Sequence, residues 1–288
     1  MYILIKALSK LICLLPSALR YGLGRGLGQF FWLLVPKKRR LLSCENMQQA
    51  LGIDAARAQK LTKASAVRFG PMLMEVLYLP KVTKETIAAH VTISGEEHMN
   101  AALAEGHGVV LATAHSGNWE IMGAALAMHG FPLVAVVQKQ TNSAMDQFIN
   151  EYRTLAGMHV TYKSSVREMV RLLGQGMIVG LLADQDAGPP GVFVDFFGKA
   201  ASTPQGAAAL ARLKGAPIIP AFITEEAPGK HRIDIYPAIR VAEGEREEAI
   251  QKTTQAVTKV VEGHIRKYPS EWFWLHNRWK TKPPTEDK

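Results

Sequence analysis

The sequence predicts an α/β fold: a mostly parallel or mixed sheet flanked by helices, with an N-terminal helical membrane anchor. Three observations predict it. From Val109 onward, short apolar runs alternate with longer segments of helical period, as strands do when crossover helices join them. The run 109–114 is apolar at every position except Thr113, which reads as a strand buried on both faces. The first 35 residues are the most apolar part of the chain and are followed at once by four consecutive basic residues.

Residues 1–15 are apolar apart from Lys6, Ser9 and Lys10; Pro16 interrupts, and 23–35 is a second apolar stretch carrying Arg25. Neither reaches the roughly 20 uninterrupted apolar residues of a spanning helix. No small-residue peptidase site follows a clean apolar core, so a cleaved signal is not expected. A helix or hairpin lying in the interface fits, as does one spanning helix with snorkelling lysines. Lys37–Arg40 suits an anionic cytoplasmic leaflet. The alternative is a buried amphipathic helix pair followed by a solvated charge run. The chain therefore divides into an anchor over 1–40 and an α/β domain over 41–288.

Residues 45–92 read as helical. Met72 and Met74, in the apolar stretch 71–79, either line a pocket for a flexible chain or, more commonly, fill the core. Residues 93–99 open as a short strand and pass into a helix ending near Gly106. Strands follow at 109–114, 133–138, 159–162, 177–183 and 217–223, with a last one at 231–236. Helices fall at 119–129, 143–156, 165–174, 204–214 and 245–267. Residues 188–198, rich in Gly, Pro and Phe, read as a loop whose apolar side chains would wall a tunnel if buried. No internal repeat is present, and the low-complexity tail is 281–288.

Hydrophobic residues make up 48% of the 288 and charged residues 20%, enough for a sizeable core in one large domain, or one domain plus an anchor. A net charge of +9 favours an anionic partner, whether a membrane surface, a phosphorylated lipid or an acidic protein. No recognised nucleic-acid-binding motif appears, so nucleic acid is the poorest of the anionic partners and is not expected. Cys13 and Cys44 are the only cysteines, too few for a disulfide framework or zinc site, which points to a reducing compartment.

The strand 109–114 ends at His115, and Gly117 permits a sharp turn. Asn118 is placed to cap the helix that begins at Trp119. One imidazole thus stands at the carboxyl end of a strand, and one carboxylate, Glu120, stands in the first helical turn. Ligands bind at that edge in open α/β sheets. A neutral imidazole can take a proton from a hydroxyl, and a carboxylate nearby can orient it. Otherwise His115 only closes a turn and Glu120 only complements the helix dipole. Asp184-Gln185-Asp186 follows another apolar run and belongs to the same edge; such a pair also resembles the metal site of glycosyltransferases. Thr203 and Pro204 read as the N-cap and first residue of a helix whose N-terminus could accept a phosphate or an oxyanion. Ser116 lacks the Gly-x-Ser-x-Gly elbow of a serine hydrolase. The tryptophans of 272–279 suit either a membrane interface or a segment folded onto the core.

Thr113-Ala-His-Ser-Gly-Asn-Trp-Glu120 resembles the His-x4-Asp/Glu block of the glycerolipid acyltransferase superfamily, in the form of its lipid A late acyltransferase branch, the lauroyl and myristoyl transferases. Gln138–Asn142, Asp184–Asp186, Phe196–Gly198, Thr203–Gly206 and His276–Lys280 match the branch in order. The resemblance implies an acyltransferase at the cytoplasmic face of the inner membrane. Its donor would be a thioester on acyl carrier protein, or coenzyme A, and its acceptor a hydroxyl of an anionic lipid A precursor. His115 and Glu120 would be catalytic, with Glu120 orienting His115. Arg153, Asp184, Asn118 and Thr203 would bind substrate, and neither metal nor cofactor would be needed. The same chemistry on a lysophospholipid, an ornithine lipid or another glycolipid remains an alternative, as does a metal-dependent glycosyltransferase.

Overall fold

In a computed structural model, residues 1–284 of the chain are described. Helices α1 (Tyr2–Ile12), α2 (Ser17–Leu34), α3 (Lys37–Leu51), α4 (Ala55–Val67) and α5 (Phe69–Tyr78) come first, followed by α6 (Lys84–Ala88). Then β1 (Val91–Ser94), α7 (Glu96–Ala104), β2 (Val109–Thr113), α8 (Trp119–His129), β3 (Leu133–Val137), α9 (Ser143–Leu155), β4 (His159–Tyr162), α10 (Val166–Gly174) and β5 (Ile178–Leu182) alternate. The strands β6 (Val192–Phe196) and β7 (Lys199–Thr203) precede α11 (Gly206–Lys214), β8 (Ile218–Ala227), β9 (Lys230–Ile235) and α12 (Arg246–Lys267).

Seven strands form one sheet in the order β1-β9-β8-β2-β5-β3-β4, with every neighbouring pair parallel except β8–β9. Strand β2 is central and buried along its whole length. Val109 and Leu111 pack under α5, α8 and α9. Val110 and Ala112 pack under α10 and α11. That two-sided burial is why the strand reads as an unbroken apolar run. The expected strand–helix alternation is what the structure shows.

The sheet forks at one place. Strand β3 pairs with β5 only over Leu133–Ala135 against Ile178–Gly180. Beyond that point Val136 and Val137 continue with β4, whereas Leu181 and Leu182 continue with β2.

Three expectations need correction. Residues 188–198 are not a loop: β6 pairs antiparallel with β7. Phe196 and Phe197 pack among Trp272, Trp274 and Trp279, so they fill the core and do not wall a tunnel. Thr203 is not a helix N-cap. It ends β7 and pairs with Val192, and the helix starts at Gly206 behind Gln205, because the hairpin claims 199–203. Third, no helix among the described residues is long and apolar enough to cross a membrane, so a spanning anchor finds no support. The tryptophans of the C-terminal segment are buried, which settles that segment as folded onto the core. Residues 285–288 of the expected low-complexity tail lie outside the described residues.

Helices α1 and α2 pack on the rest of the chain. Helix α2 crosses α5 at Gly24, Gly28 and Gly70, where an added Cβ at Gly28 would lie 2.0 Å from the Val67 carbonyl oxygen. On α1, Ser9 Oγ donates to the Leu77 carbonyl at 2.6 Å and accepts from the Tyr152 hydroxyl at 2.5 Å. The outer faces stay bare: Ile3, Leu4, Leu8 and Leu11 on α1 and Leu23, Phe30, Leu33 and Leu34 on α2 are exposed.

Candidate active site

Register builds the centre of the site. Thr113 and Leu182 are cross-strand partners at the ends of β2 and β5. His115 and Asp184, each two residues further on, therefore emerge side by side. The His115 Nδ1–H donates to Asp184 Oδ1 at 2.8 Å, and the His115 backbone N–H donates to Oδ2 at 2.9 Å. The Trp272 indole N–H also donates to Oδ2, at 2.7 Å. Asp184 is 2% exposed. Burial alone would push its carboxyl up, but the charge and hydrogen bond of His115, with the Trp272 and backbone donors, hold it below the ordinary carboxylate range. A carboxylate fixed at Nδ1 selects the tautomer whose Nε2 lone pair is free to accept a proton.

The carboxylate bonded to the His115 ring is thus Asp184, and Glu120 bonds elsewhere. The turn at Gly117 carries the chain away from His115, and Glu120 enters α8 facing α9. There Arg153 grips it in a fork, Nε to Oε2 at 2.9 Å and Nη2 to Oε1 at 2.6 Å. Arg153 Nη1 also donates to Asn150 Oδ1 at 2.9 Å. The expected Arg153–Glu120 pair is therefore present. Trp119 meets the His115 ring edge-on at 5.1 Å between centroids. Asn118 caps α8 as expected, its Oδ1 accepting from the Ile121 N–H at 3.2 Å. Asn118 Nδ2 donates to Glu75 Oε2 at 2.6 Å.

His115 opens onto a cleft of about 940 Å³, floored by Val136, Met169, Leu181, Leu182 and Leu210 and rimmed by Lys163, Arg212 and Arg246. The volume lies at the upper end of ordinary ligand pockets, roughly 300–1,000 Å³. A second cavity of about 70 Å³ lies beside Thr113, Glu120 and Arg153. The two share Val136, Val137, Leu181 and Leu182, the residues freed where the sheet forks.

Asp186 is brought to the same edge but holds the C-terminal segment. Its carboxylate accepts from the Thr281 N–H at 3.1 Å and hydroxyl at 2.9 Å, and from the Gly188 N–H at 3.3 Å. Asp184 is thus held by His115 and Trp272, and Asp186 by Thr281 and Gly188. Thr203 accepts from Arg278 Nη2 and donates to the Ala201 carbonyl; it is buried away from the cleft. Arg278 is buried under the same edge, and burial lowers its pKa to about 10 against the pull of Asp184 and Asp186. Ser116 Oγ meets His264 Nε2 at 3.1 Å, but Ser116 is 1% exposed. His264 is held neutral by burial, with its pKa lowered to about 3. This pair locks the turn and presents no nucleophile. Met74 packs in the core.

Sequence reasoning missed three of these residues. Trp272 and Arg278 reach the site from the C-terminal segment, and Glu75 reaches it from α5. No local spacing signals contacts across that distance in the chain.

Comparison with known proteins follows the same lines. Residues 1–281 match the family described as bacterial lipid A biosynthesis acyltransferase. The chain is 30% identical over 243 residues to the phosphatidylinositol mannoside acyltransferase of Mycobacterium tuberculosis, covering 82% of this chain and 75% of that one. It is 28% identical over 280 residues to the lipid A biosynthesis lauroyltransferase of Escherichia coli, covering 95% and 89%. It is 25% identical over 284 residues to a lipid A biosynthesis acyltransferase of Haemophilus influenzae, covering 96% and 86%. A crystal structure of the 1-acyl-sn-glycerophosphate acyltransferase of Thermotoga maritima superposes with a TM-score of 0.41 at 13% identity, over 92% of this chain and 97% of that one. The chain belongs to the bacterial lipid A biosynthesis acyltransferase family and is an acyltransferase.

Proposed function

We propose that the chain transfers a fatty acyl group from a thioester on acyl carrier protein to a hydroxyl of a lipid A precursor at the cytoplasmic face of the inner membrane. The observation that carries this reading is the His115–Asp184 pair at the mouth of the large cleft. His115 Nε2 has no hydrogen-bond partner among the described residues and meets the cleft. It takes the proton of the acceptor hydroxyl while that oxygen attacks the thioester carbonyl. Asp184 stabilises the imidazolium that forms. The tetrahedral intermediate collapses with expulsion of the thiolate, which recovers the proton from His115. No group on the protein needs to be acylated. The Glu120–Arg153 pair, beside the smaller cavity that shares Val136, Val137, Leu181 and Leu182 with the cleft, orients substrate. The apolar floor of the cleft accepts the acyl chain, and the rim cations Lys163, Arg212 and Arg246 suit a phosphorylated substrate or an acidic carrier. The exposed leucines and phenylalanines of α1 and α2 support an interfacial anchor over residues 1–40.

A second acceptor class is favoured by one finding, the 30% identity to a phosphatidylinositol mannoside acyltransferase. The same catalytic groups would then act on another glycolipid. One experiment separates these readings. Labelled acyl thioester, on carrier protein or on coenzyme A, is offered with a lipid A precursor or with a glycolipid of another class. His115→Ala should lower turnover roughly 100- to 10,000-fold while the protein stays folded. Near-normal transfer by that variant would refute the mechanism. Transfer only to the second acceptor would refute the lipid A assignment and leave the mechanism standing.

A further inference from the structure

The turn that joins His115 to α8 is held from beneath by a polar cluster that the acyl-transfer chemistry does not use. Gly117 sits at φ +60°, and a Cβ there would lie 2.0 Å from the Ile223 carbonyl oxygen. The turn therefore has no slack toward the sheet. Its carbonyl accepts from Arg68 Nη1 at 2.7 Å, and its N–H donates to the Glu271 carbonyl at 3.0 Å. Asn118, the next residue, gives its Nδ2–H to Glu75 Oε2 at 2.6 Å. Glu75 Oε1 accepts in turn from His231 Nε2 at 2.7 Å. Glu225 stands directly opposite His231 on the antiparallel β8–β9 pair, so both side chains share one face of the sheet. Polar atoms of Glu75, Glu225 and His231 lie within 4.8 Å of one another. Two hydrogen bonds in series thus run from β9 through α5 to the catalytic turn.

The charges in this cluster are nearly balanced by one mobile proton. His231 faces the carboxylates of Glu75, Glu225 and Glu271, and Arg68 is the other cation beside them. Burial works against the imidazolium, but the hydrogen bond to Glu75 and the charges of the three carboxylates outweigh it, so His231 keeps its proton to higher pH than an ordinary imidazole. Burial, with Glu75 adding to it, also raises Glu225 and Glu271. His231 Nδ1 is buried without a partner, so it is the nitrogen that gives up the proton. The Nε2–H bond to Glu75 then survives, but the positive charge is gone. Three carboxylates are left facing Arg68 alone, and Glu75 is pushed from its place under Asn118.

We infer that Glu75 and His231 are positioning residues, and that the His231–Glu75–Asn118 chain sets the pose of the catalytic turn in a proton-dependent way. The inference rests on the acyl-transfer reading of His115. With the cluster protonated, the turn holds His115 against Asp184. As pH rises through the His231 pKa, which lies above that of an ordinary imidazole, the turn loosens and catalysis declines before substrate binding does.

The test is the pH dependence of kcat and KM for the full chain, His231→Gln, Glu75→Gln and Asn118→Ser, with thermal unfolding of each. Wild type should lose kcat on the alkaline side with KM little changed. His231→Gln keeps a donor toward Glu75 without the charge, so it should show a low, flat kcat where wild type falls. Glu75→Gln should lower kcat roughly tenfold, within the range expected when a reacting group is misplaced, and leave KM within about twofold. Asn118→Ser keeps an oxygen for the cap but, with a shorter side chain, takes the Nδ2 donor away from Glu75, so it reports on the chain even if a cluster variant fails to fold. A kcat profile of wild-type shape and height in these variants, with or without a lower Tm, overturns the proposal. His115→Ala run alongside separates the two failures: if it is inactive while the cluster variants behave as wild type, only this inference falls, and if it is active, the acyl-transfer reading falls first.

Discussion

Asp184→Asn replaces one oxygen by an NH2 group and should nearly silence the enzyme. In the wild type Oδ2 accepts from two fixed donors, the His115 backbone N–H at 2.9 Å and the Trp272 indole at 2.7 Å, while Oδ1 accepts from the imidazole at 2.8 Å. The asparagine amide will keep its oxygen toward the two fixed donors. Its NH2 group then faces His115 Nδ1 and must donate to it. The imidazole responds by moving its proton to Nε2, the nitrogen that has to be a base. The loss combines the wrong tautomer with an uncompensated imidazolium, and the same exchange in a serine-protease triad costs about 10⁴ in kcat. Turnover should therefore fall by roughly 10³- to 10⁴-fold, about 4–5 kcal/mol of barrier. Stability should drop far less, by about 1–3 kcal/mol for one charge-assisted hydrogen bond lost from a buried site. The assay is the initial rate of labelled acyl transfer at saturating donor and acceptor, with thermal unfolding of the same preparation. A folded Asp184→Asn protein within tenfold of wild type would refute the assignment of the orienting carboxylate and return Glu120 to that role.

The other predictions can be checked with the same material. Glu120→Gln leaves the Arg153 guanidinium without its counter-charge at a site where the two side chains are only 9% and 15% exposed. A double-mutant cycle with Arg153→Met, read by thermal unfolding, should give a coupling of about 1–3 kcal/mol, and a coupling near zero would refute the pair. Because Asp184 titrates below the ordinary carboxylate range, its contribution is complete above the unfolded carboxyl pKa and is lost as pH falls through the lower folded value. Wild-type stability should accordingly decline more as pH falls below about 4 than that of Asp184→Asn, as measured by denaturant unfolding. Leu8→Ser with Leu11→Ser, both on the bare face of α1, should weaken sedimentation with anionic vesicles several-fold without lowering Tm; unchanged pelleting would place membrane contact elsewhere.

How much of this was legible beforehand depended on whether a signal was local. The apolar run of β2, the Gly117 turn and the Asn118 cap are written in consecutive residues, and so they could be read. The strand–helix alternation after Val109 was equally open, because each period spans only a few residues. The hairpin 192–203 was hidden: Gly188, Pro189, Pro190 and Gly191 read as a loop, and the two short strands that follow lack clean alternation. Thr203 and Pro204 imitate a helix start, but strand pairing with Val192 overrides the cap. The wrong partner for His115 has the same origin. Glu120 is five residues away along the chain, whereas Asp184 is 69 residues away and becomes adjacent only through the β2–β5 register. Sequence proximity is a poor guide wherever a parallel sheet places the ends of distant strands together.

The fork in the sheet has a consequence for how such enzymes diverge. The imidazole and its carboxylate hang from β2 and β5, which stay paired to Thr113 and Leu182. The far side of the slot belongs to β3, which leaves β5 after Ala135 and travels with β4. A substitution at Val136 or Val137 can therefore reshape the greasy half of the cleft without transmitting strain to the base. Under the proposed mechanism, the reacting pair and the Val136–Val137 wall of the cleft stand on separate prongs, with Leu181 and Leu182 lining the cleft from the β5 side. Under the same mechanism, exchanges at Val136 and Val137 should alter which fatty chain is accepted more than they alter the rate with the preferred one.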